Sequence, residues 1–176
     1  DDADKNGVAE VAVLSRRNIG ARNVVEVKNA AGATNPVTLY FMAGDTAIDL
    51  AVVNDADGNT VPEVAVLSSR NSDGRTGVEI RNAAGAANPR KVWFAAGNRA
   101  LALKQVADAD GNFVPELAVL SVRKSDGRSM VEVRNAAGAA NPNALWYPAG
   151  FAARDLTIFE DADGKGIEDA DVLLTR

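Results

Sequence analysis

The sequence repeats itself every 53 residues, and that period decides most of what the chain can fold into. DADKN begins at Asp2, DADGN at Asp55 and again at Asp108, and DADGK at Asp161. NAAG recurs from Asn29, Asn82 and Asn135, and NP from Asn35, Asn88 and Asn141. The units from Asp55 and from Asp108 agree at 33 of 53 positions, including the unbroken RNAAGAANP from Arg81 and from Arg134. Three full units and the opening of a fourth follow without a slip of register. Such a chain places one supersecondary unit in each repeat and buries its core by stacking unit on unit.

Within a unit, short β-rich runs alternate with turn residues. Val64-Ala65-Val66-Leu67 is apolar at consecutive positions, which predicts a strand buried on both faces. After the turn at Ser72-Asp73-Gly74, Val78-Glu79-Ile80-Arg81 alternates apolar and polar and predicts one wet face. A third run lies around Val92-Trp93-Phe94, and a fourth covers Leu101 to Val106. The fold class read from this is all-β, in tandem 53-residue, four-stranded blades of the β-propeller type. An open linear β-repeat array, each unit packing only on the next, is the alternative, because periodicity does not separate a ring from an open stack.

Composition narrows the chemistry. There is no Cys and no His among the 176 residues, which removes thiolate and imidazole catalysis, disulfides and zinc sites of the usual kind. The net charge of -5 removes the uniform basic field that non-specific nucleic-acid binding relies on. No apolar run reaches the roughly 20 residues needed to span a bilayer, so no membrane insertion is expected. The chain opens Asp1-Asp2 without a Met or a signal-like segment and is read as a piece of something longer.

The acidic loops carry the candidate site. In the loop from Asp55, residues Asp55, Asp57 and Asn59 stand at positions 1, 3 and 5, Val61 at 7 and Glu63 at 9. Alternate side chains of a tightly curled loop converge, and three oxygen-bearing side chains, the Val61 carbonyl and a closing carboxylate make a shell for a hard cation, with Ca2+ the best match. The set recurs as Asp2, Asp4, Asn6, Val8 and Glu10, and as Asp108, Asp110, Asn112, Val114 and Glu116. In the fourth loop Asp161, Asp163 and Asp169 persist, but Lys165 stands where Asn59 stands, and its ammonium can take the place of an ion. The spacing is not that of an EF-hand, which closes with Glu at position 12, where this chain has Val66.

An apolar strand, D-x-D-x-N-x-x-x-E and a second apolar strand resemble the FG-GAP and VCBS-type repeats of calcium-loaded β-propellers, such as integrin α-subunit heads and many secreted bacterial proteins. The family's usual Asp-Gly at positions 5 and 6 and Asp at 9 are here Asn59-Thr60 and Glu63. The resemblance implies blades whose innermost strand precedes the calcium loop, a secreted or cell-surface location, and adhesion or assembly as the setting. With Leu101 to Val106 as an innermost strand, the chain divides into a partial blade of three outer strands (1–44), blades at 45–97 and 98–150, and a partial blade at 151–176 holding an inner strand, a calcium loop and the next strand. That last strand duplicates one already present in 1–44, and overlap between successive subunits in an open filament accounts for the duplication better than ring closure does.

Three further features recur. Tyr40, Trp93 and Trp146 head aromatic pairs that offer either packing or a sugar-binding platform, and Arg17/Arg70/Arg123 and Arg22/Arg75/Arg128 form cation ladders able to hold an anionic glycan. Lys28, Arg81 and Arg134 each follow a Glu by two residues, at Glu26, Glu79 and Glu132, which reads as a solvated face of mixed charge. No G-x-S-x-G elbow, phosphate-cradling glycine loop or paired base is present, and near-identical units do not build one asymmetric active site. The chain is thus expected to be a non-enzymatic, calcium-stabilised extracellular structural module that associates with itself or with neighbouring repeats. The alternative is an adhesin or lectin-like module for a glycan or surface protein, using Tyr40, Trp93, Trp146, Arg70, Arg75, Arg123 and Arg128.

Overall fold

A computed structural model describes residues 2–17, 20, 22–32, 37–85, 89–138, 143–159 and 168–175. Among these residues the chain is all-β, with thirteen strands and no helix. Strands β1 (Glu10–Arg16), β2 (Asn23–Asn29) and β3 (Val37–Tyr40) make a first sheet. Strands β4 (Asp45–Val53), β5 (Glu63–Arg70), β6 (Thr76–Asn82) and β7 (Arg90–Trp93) make a second. The third repeats it with β8 (Asn98–Val106), β9 (Glu116–Arg123), β10 (Ser129–Asn135) and β11 (Asn143–Trp146), and β12 (Ala152–Phe159) with β13 (Asp169–Thr175) forms the fourth. Every pairing is antiparallel between strands consecutive in sequence, as short hairpin connections require. No sheet closes into a barrel, and the four do not close into a propeller ring among the described residues.

The 53-residue period extends to irregularities. The first strand of the second, third and fourth sheets slips register at Ala47/Asp49, Ala100/Ala102 and Ala153/Asp155. At the first of these bulges Asp49 turns toward the neighbouring sheet, where its Oδ2 accepts the Leu103 N–H at 2.8 Å.

Sheets are held to one another by three apolar clusters, one for each seam. Between the first and second sheets, Val25, Val27, Leu39 and Phe41 meet Val64 and Val66, with Ala12 and Leu14 packed alongside. Between the second and third, Ala65, Leu67, Val78, Ile80 and Val92 meet Leu103, Leu117 and Val119. Between the third and fourth, Ala118, Leu120 and Val131 meet Ala153, Leu156 and Val172. The consecutive apolar residues of β5 and β9 therefore supply two seams at once, odd positions to one side and even positions to the other, and both strands are buried from end to end apart from their last two residues. Each fully buried aliphatic side chain contributes roughly 1.5–3 kcal/mol, so the doubly covered strands are where the stack is fastened.

The alternating strands depart from the expected wet face. Glu79 on β6 and Glu132 on β10 are buried. Glu79 Oε2 accepts the Met42 N–H at 3.0 Å and Glu132 Oε2 accepts the Ala95 N–H at 2.9 Å, each reaching to the preceding sheet. Arg81 and Arg134, paired with these carboxylates, lie over the rings of Phe41 and Phe94. The polar side of the pattern is thus a second, hydrogen-bonded part of the seam. Only in the first sheet is it solvated, where Lys28 and Glu26 pair at 2.9 Å with both side chains exposed.

Candidate metal centre

The three acidic loops lead into β1, β5 and β9, so two of the carboxylate sets are fastened to strands that pin two seams and the set from Asp2 to a strand that packs into one. The backbone curls through two left-handed residues per loop, at positions 4 and 6. They are Lys5 (φ 61°) and Gly7 (φ 84°), Gly58 (φ 78°) and Thr60 (φ 66°), Gly111 (φ 76°) and Phe113 (φ 66°). One glycine per loop makes the curl affordable; the other left-handed residue pays steric strain. Asn6, Asn59 and Asn112 brace the turn, their Oδ1 atoms accepting the N–H of Val8, Val61 and Val114 at 2.8–2.9 Å.

The curl gathers Asp2, Asp4 and Glu10, then Asp55, Asp57 and Glu63, then Asp108, Asp110 and Glu116, with one ligand atom from each residue lying within 4.8 Å of the others of its set. The glutamate is held by its Oε2, which accepts the N–H of the alanine inside the motif: Ala3 to Glu10 at 2.6 Å, Ala56 to Glu63 at 2.7 Å, Ala109 to Glu116 at 2.7 Å. Oε1 is left for something else. In Glu10 and Glu63 that atom is buried with no hydrogen-bond partner, as is Asp55 Oδ1. Glu63 is 3% exposed. A carboxylate oxygen so placed costs free energy unless a cation or proton meets it. Burial, with Asp57 and Asp55 adding repulsion, pushes the Glu63 carboxyl up to about 7. Burial also raises Glu116, with Asp110 and Asp108 contributing. An all-oxygen set of three carboxylates, with buried oxygens left over, fits a hard divalent cation.

Of the other candidate ligands, the amide oxygens of Asn6, Asn59 and Asn112 are turned to the loop backbone, as above. Asp161 and Asp163 lie outside the described residues, and Asp169 opens β13. What sequence reading missed is the alanine N–H at position 2. Its signal was the invariant second letter of D-A-D in all four copies, which spacing arguments about side chains pass over.

The aromatic residues occupy a different place, on the far ends of the outer strands. Arg17 and Arg22 lie over the Tyr40 ring, Arg70 and Arg75 with Lys91 over Trp93, and Arg123 and Arg128 over Trp146, all with 4.4–5.5 Å from cation to ring centre. Arg70 and Arg123 also pair with Asp73 and Asp126, whose carboxyls are held well below the usual range by those guanidinium groups. The rings and both cation ladders therefore come together into one repeated stack, with guanidinium groups on the ring faces. No family model matches the chain, and neither curated proteins nor solved structures provide a match.

Proposed function

We propose that this chain is a non-enzymatic, calcium-stiffened structural and assembly module that works outside the cell, each 53-residue unit acting as a blade of the propeller type in an open, self-associating array. The observation that carries the reading is the buried Oε1 of Glu63, without a partner and facing Asp55 and Asp57. A protein does not gain by gathering three carboxylates around a buried oxygen unless a cation binds there. The carboxylate set recurs in all three described loops, and the partnerless glutamate oxygen in those of Glu10 and Glu63. An ion in each loop would fasten the loop to a strand of a seam, and in the loops from Asp55 and Asp108 to a strand that supplies two, so binding stiffens the stack as a whole. The adhesin reading loses ground because guanidinium groups cover the Tyr40, Trp93 and Trp146 faces that a sugar would need.

Thermal melting and calorimetric titration test the metal reading. Millimolar Ca2+ should raise Tm over chelator-treated protein, as expected for extracellular sites with Kd on the order of 10⁻⁴ to 10⁻³ M. Identical melting in chelator and Ca2+, with no heat of binding, would remove it. Sedimentation over a range of protein concentrations in Ca2+ tests self-association, which a single, concentration-independent species would contradict.

A further inference from the structure

Asn6 is the only asparagine of the chain that precedes a glycine. In the second and third acidic loops the residue after the corresponding asparagine is Thr60 or Phe113, not Gly7. The backbone is left-handed at all three positions, so Thr60 and Phe113 hold a strained conformation that glycine adopts freely. Packing does not offset the strain at Phe113, whose ring is almost fully exposed.

Around Asn6 the loop brings together a base, a nucleophile and a polarised carbonyl. Asp2 lies across the Asn6–Gly7 peptide, its Oδ1 accepting the Asn6 N–H at 3.0 Å and its Oδ2 the Gly7 N–H at 2.6 Å. The side-chain Oδ1 of Asn6 accepts the Val8 N–H at 2.9 Å and an Asn29 Nδ2–H at 3.4 Å, which draws electron density away from Cγ and favours negative charge on that oxygen. The third loop repeats most of this cradle. Asp108 accepts the N–H of Asn112 at 2.9 Å and of Phe113 at 2.7 Å, and Asn112 Oδ1 accepts the Val114 N–H at 2.8 Å. Asn6 and Asn112 are both exposed to water.

We propose that Asn6 is a self-modifying residue, converted within its own loop to aspartate and isoaspartate, and that Thr60 and Phe113 shield Asn59 and Asn112 from the same change. Asp2 Oδ2 takes the Gly7 amide proton as that nitrogen attacks Asn6 Cγ. The new N–Cγ bond closes a cyclic imide, the Cγ–Nδ2 bond breaks, and the proton passes to Nδ2, so that ammonia leaves. Water then opens the imide. Cleavage of the N–Cγ bond restores the ordinary backbone with an aspartate, and cleavage at the backbone carbonyl leaves the chain running through Cγ as isoaspartate. One water is consumed and one ammonia released. Glycine permits the attack because no Cβ stands beside the nitrogen, whereas the branched Thr60 and the ring of Phe113 crowd it. The product changes the loop: a carboxylate cannot donate to Asp4 Oδ2, as Asn6 Nδ2 does at 2.8 Å, and it stands as a further acid beside Asp2, Asp4 and Glu10. The first loop therefore ages apart from the other two, with or without an ion in it.

Peptide mapping of the purified protein tests this, after incubation at body temperature in mildly alkaline buffer with chelator. Conversion at Asn6, read from its aspartate and isoaspartate peptides, should outpace conversion at Asn59 and Asn112 by about tenfold or more. Equal rates at the three overturn the proposal. Gly7→Thr, at a position where an added Cβ meets nothing within 4 Å, should bring Asn6 down to the rate of Asn59. Phe113→Gly should bring Asn112 up to within about threefold of Asn6, since the Asp108 cradle is already in place. Unchanged rates in these two variants overturn the shielding. Asp2→Ala, with Gly7 retained, should slow Asn6 by about tenfold. An unchanged or faster rate there overturns Asp2 as the base, and melting curves of each variant show that the comparison is made between folded proteins.

Discussion

The second and third sheets, residues 45–97 and 98–150, agree at 34 of 53 positions and share the same four-stranded order, yet they solve one packing problem in opposite ways. In the second, Lys91 lies across the sheet over Gly77 and pairs with buried Asp45 at 2.5 Å. In the third, the three positions hold Asn98, Met130 and Ala144: the methionine fills the space a lysine crosses, and its sulfur accepts the Asn98 amide at 3.3 Å. A Cβ on Gly77 would meet Lys91 Cε at 2.9 Å and the Trp93 ring at 3.0 Å, so a side chain at 77 pushes the end of Lys91 off its path to Asp45. The three residues therefore change as a set. The shared 53-residue plan fixes backbone and seams, while the space between them admits either an ion pair or a thioether.

The largest effect should come from mixing the two solutions. Gly77→Met alone expels Lys91 and strands the Asp45 carboxylate, which is 3% exposed, costing about 3–5 kcal/mol in denaturant unfolding. Converting all three positions, with Asp45→Asn and Lys91→Ala added, should restore stability to within about 1 kcal/mol of the starting protein. A triple variant no better than Gly77→Met would show that the units differ for some other reason.

How far such differences can be read in sequence depends on which side of the backbone carries them. The strand run Val64–Leu67 and the carboxylate spacing were legible because each rests on a short local period. The role of Glu79 and Arg81 was not: alternation predicts that one face is polar, but not whether that face meets water or a neighbour that supplies the Met42 N–H and the Phe41 ring. The same holds for the Arg and aromatic repeats. Sequence separates Arg70 from Trp93 by 23 residues, and only the pairing of β5, β6 and β7 brings guanidinium and ring together. The Asp45, Gly77 and Lys91 set lies on three strands and has no sequence signal until a second unit is aligned beneath it.

A second difference lies at the outer strands. Val92 on β7 is 5% exposed under the third sheet, whereas its counterpart Leu145 on β11 is 40% exposed, since β12 and β13 cover only the inner part of the third sheet. Val92→Ala should cost about 2–3 kcal/mol and Leu145→Ala less than about 1, reversing the order expected from side-chain size. Equal losses would mean that something covers β11 in solution, and repeating the pair at high and low protein concentration would tell whether a second copy does.

The acidic loops sharpen the comparison through pH. Glu63 is pushed up to about 7, above its value in the unfolded chain, so folding binds a proton there. Its contribution is fully present below about pH 4.5 and is lost as pH rises through 7. Metal-free protein should therefore lose roughly 5–10 °C in Tm between pH 5 and pH 8. In Ca2+ the loss should vanish, because the ion takes the proton's place. Glu63→Gln should remove more of this slope than Glu116→Gln, since Glu116 Oε1 has the Asn135 amide at 3.4 Å while Glu63 Oε1 has no partner. Equal slopes in both variants would mean that the orphaned oxygen does not distinguish the loops.

The smallest effect concerns the curl that gathers the carboxylates. Position 6 of the loop is left-handed in all three copies and holds Gly7, Thr60 and Phe113. The Phe113 ring is 93% exposed and so gains little packing to offset its backbone. A left-handed residue with a side chain costs roughly 1–2 kcal/mol, part of which glycine returns through its freedom in the unfolded chain. Phe113→Gly should thus raise stability by up to about 1 kcal/mol, and Thr60→Gly by a similar or smaller amount. Gly7→Ala should lower it by a comparable step. Measured in Ca2+ and in chelator, these changes should be the same size in both, since they act on the backbone and leave every carboxylate in place. A Phe113→Gly variant that weakens Ca2+ binding instead would show that a stiff left-handed residue at position 6 holds Asp108 and Asp110 in line, and that the strain contributes to the site.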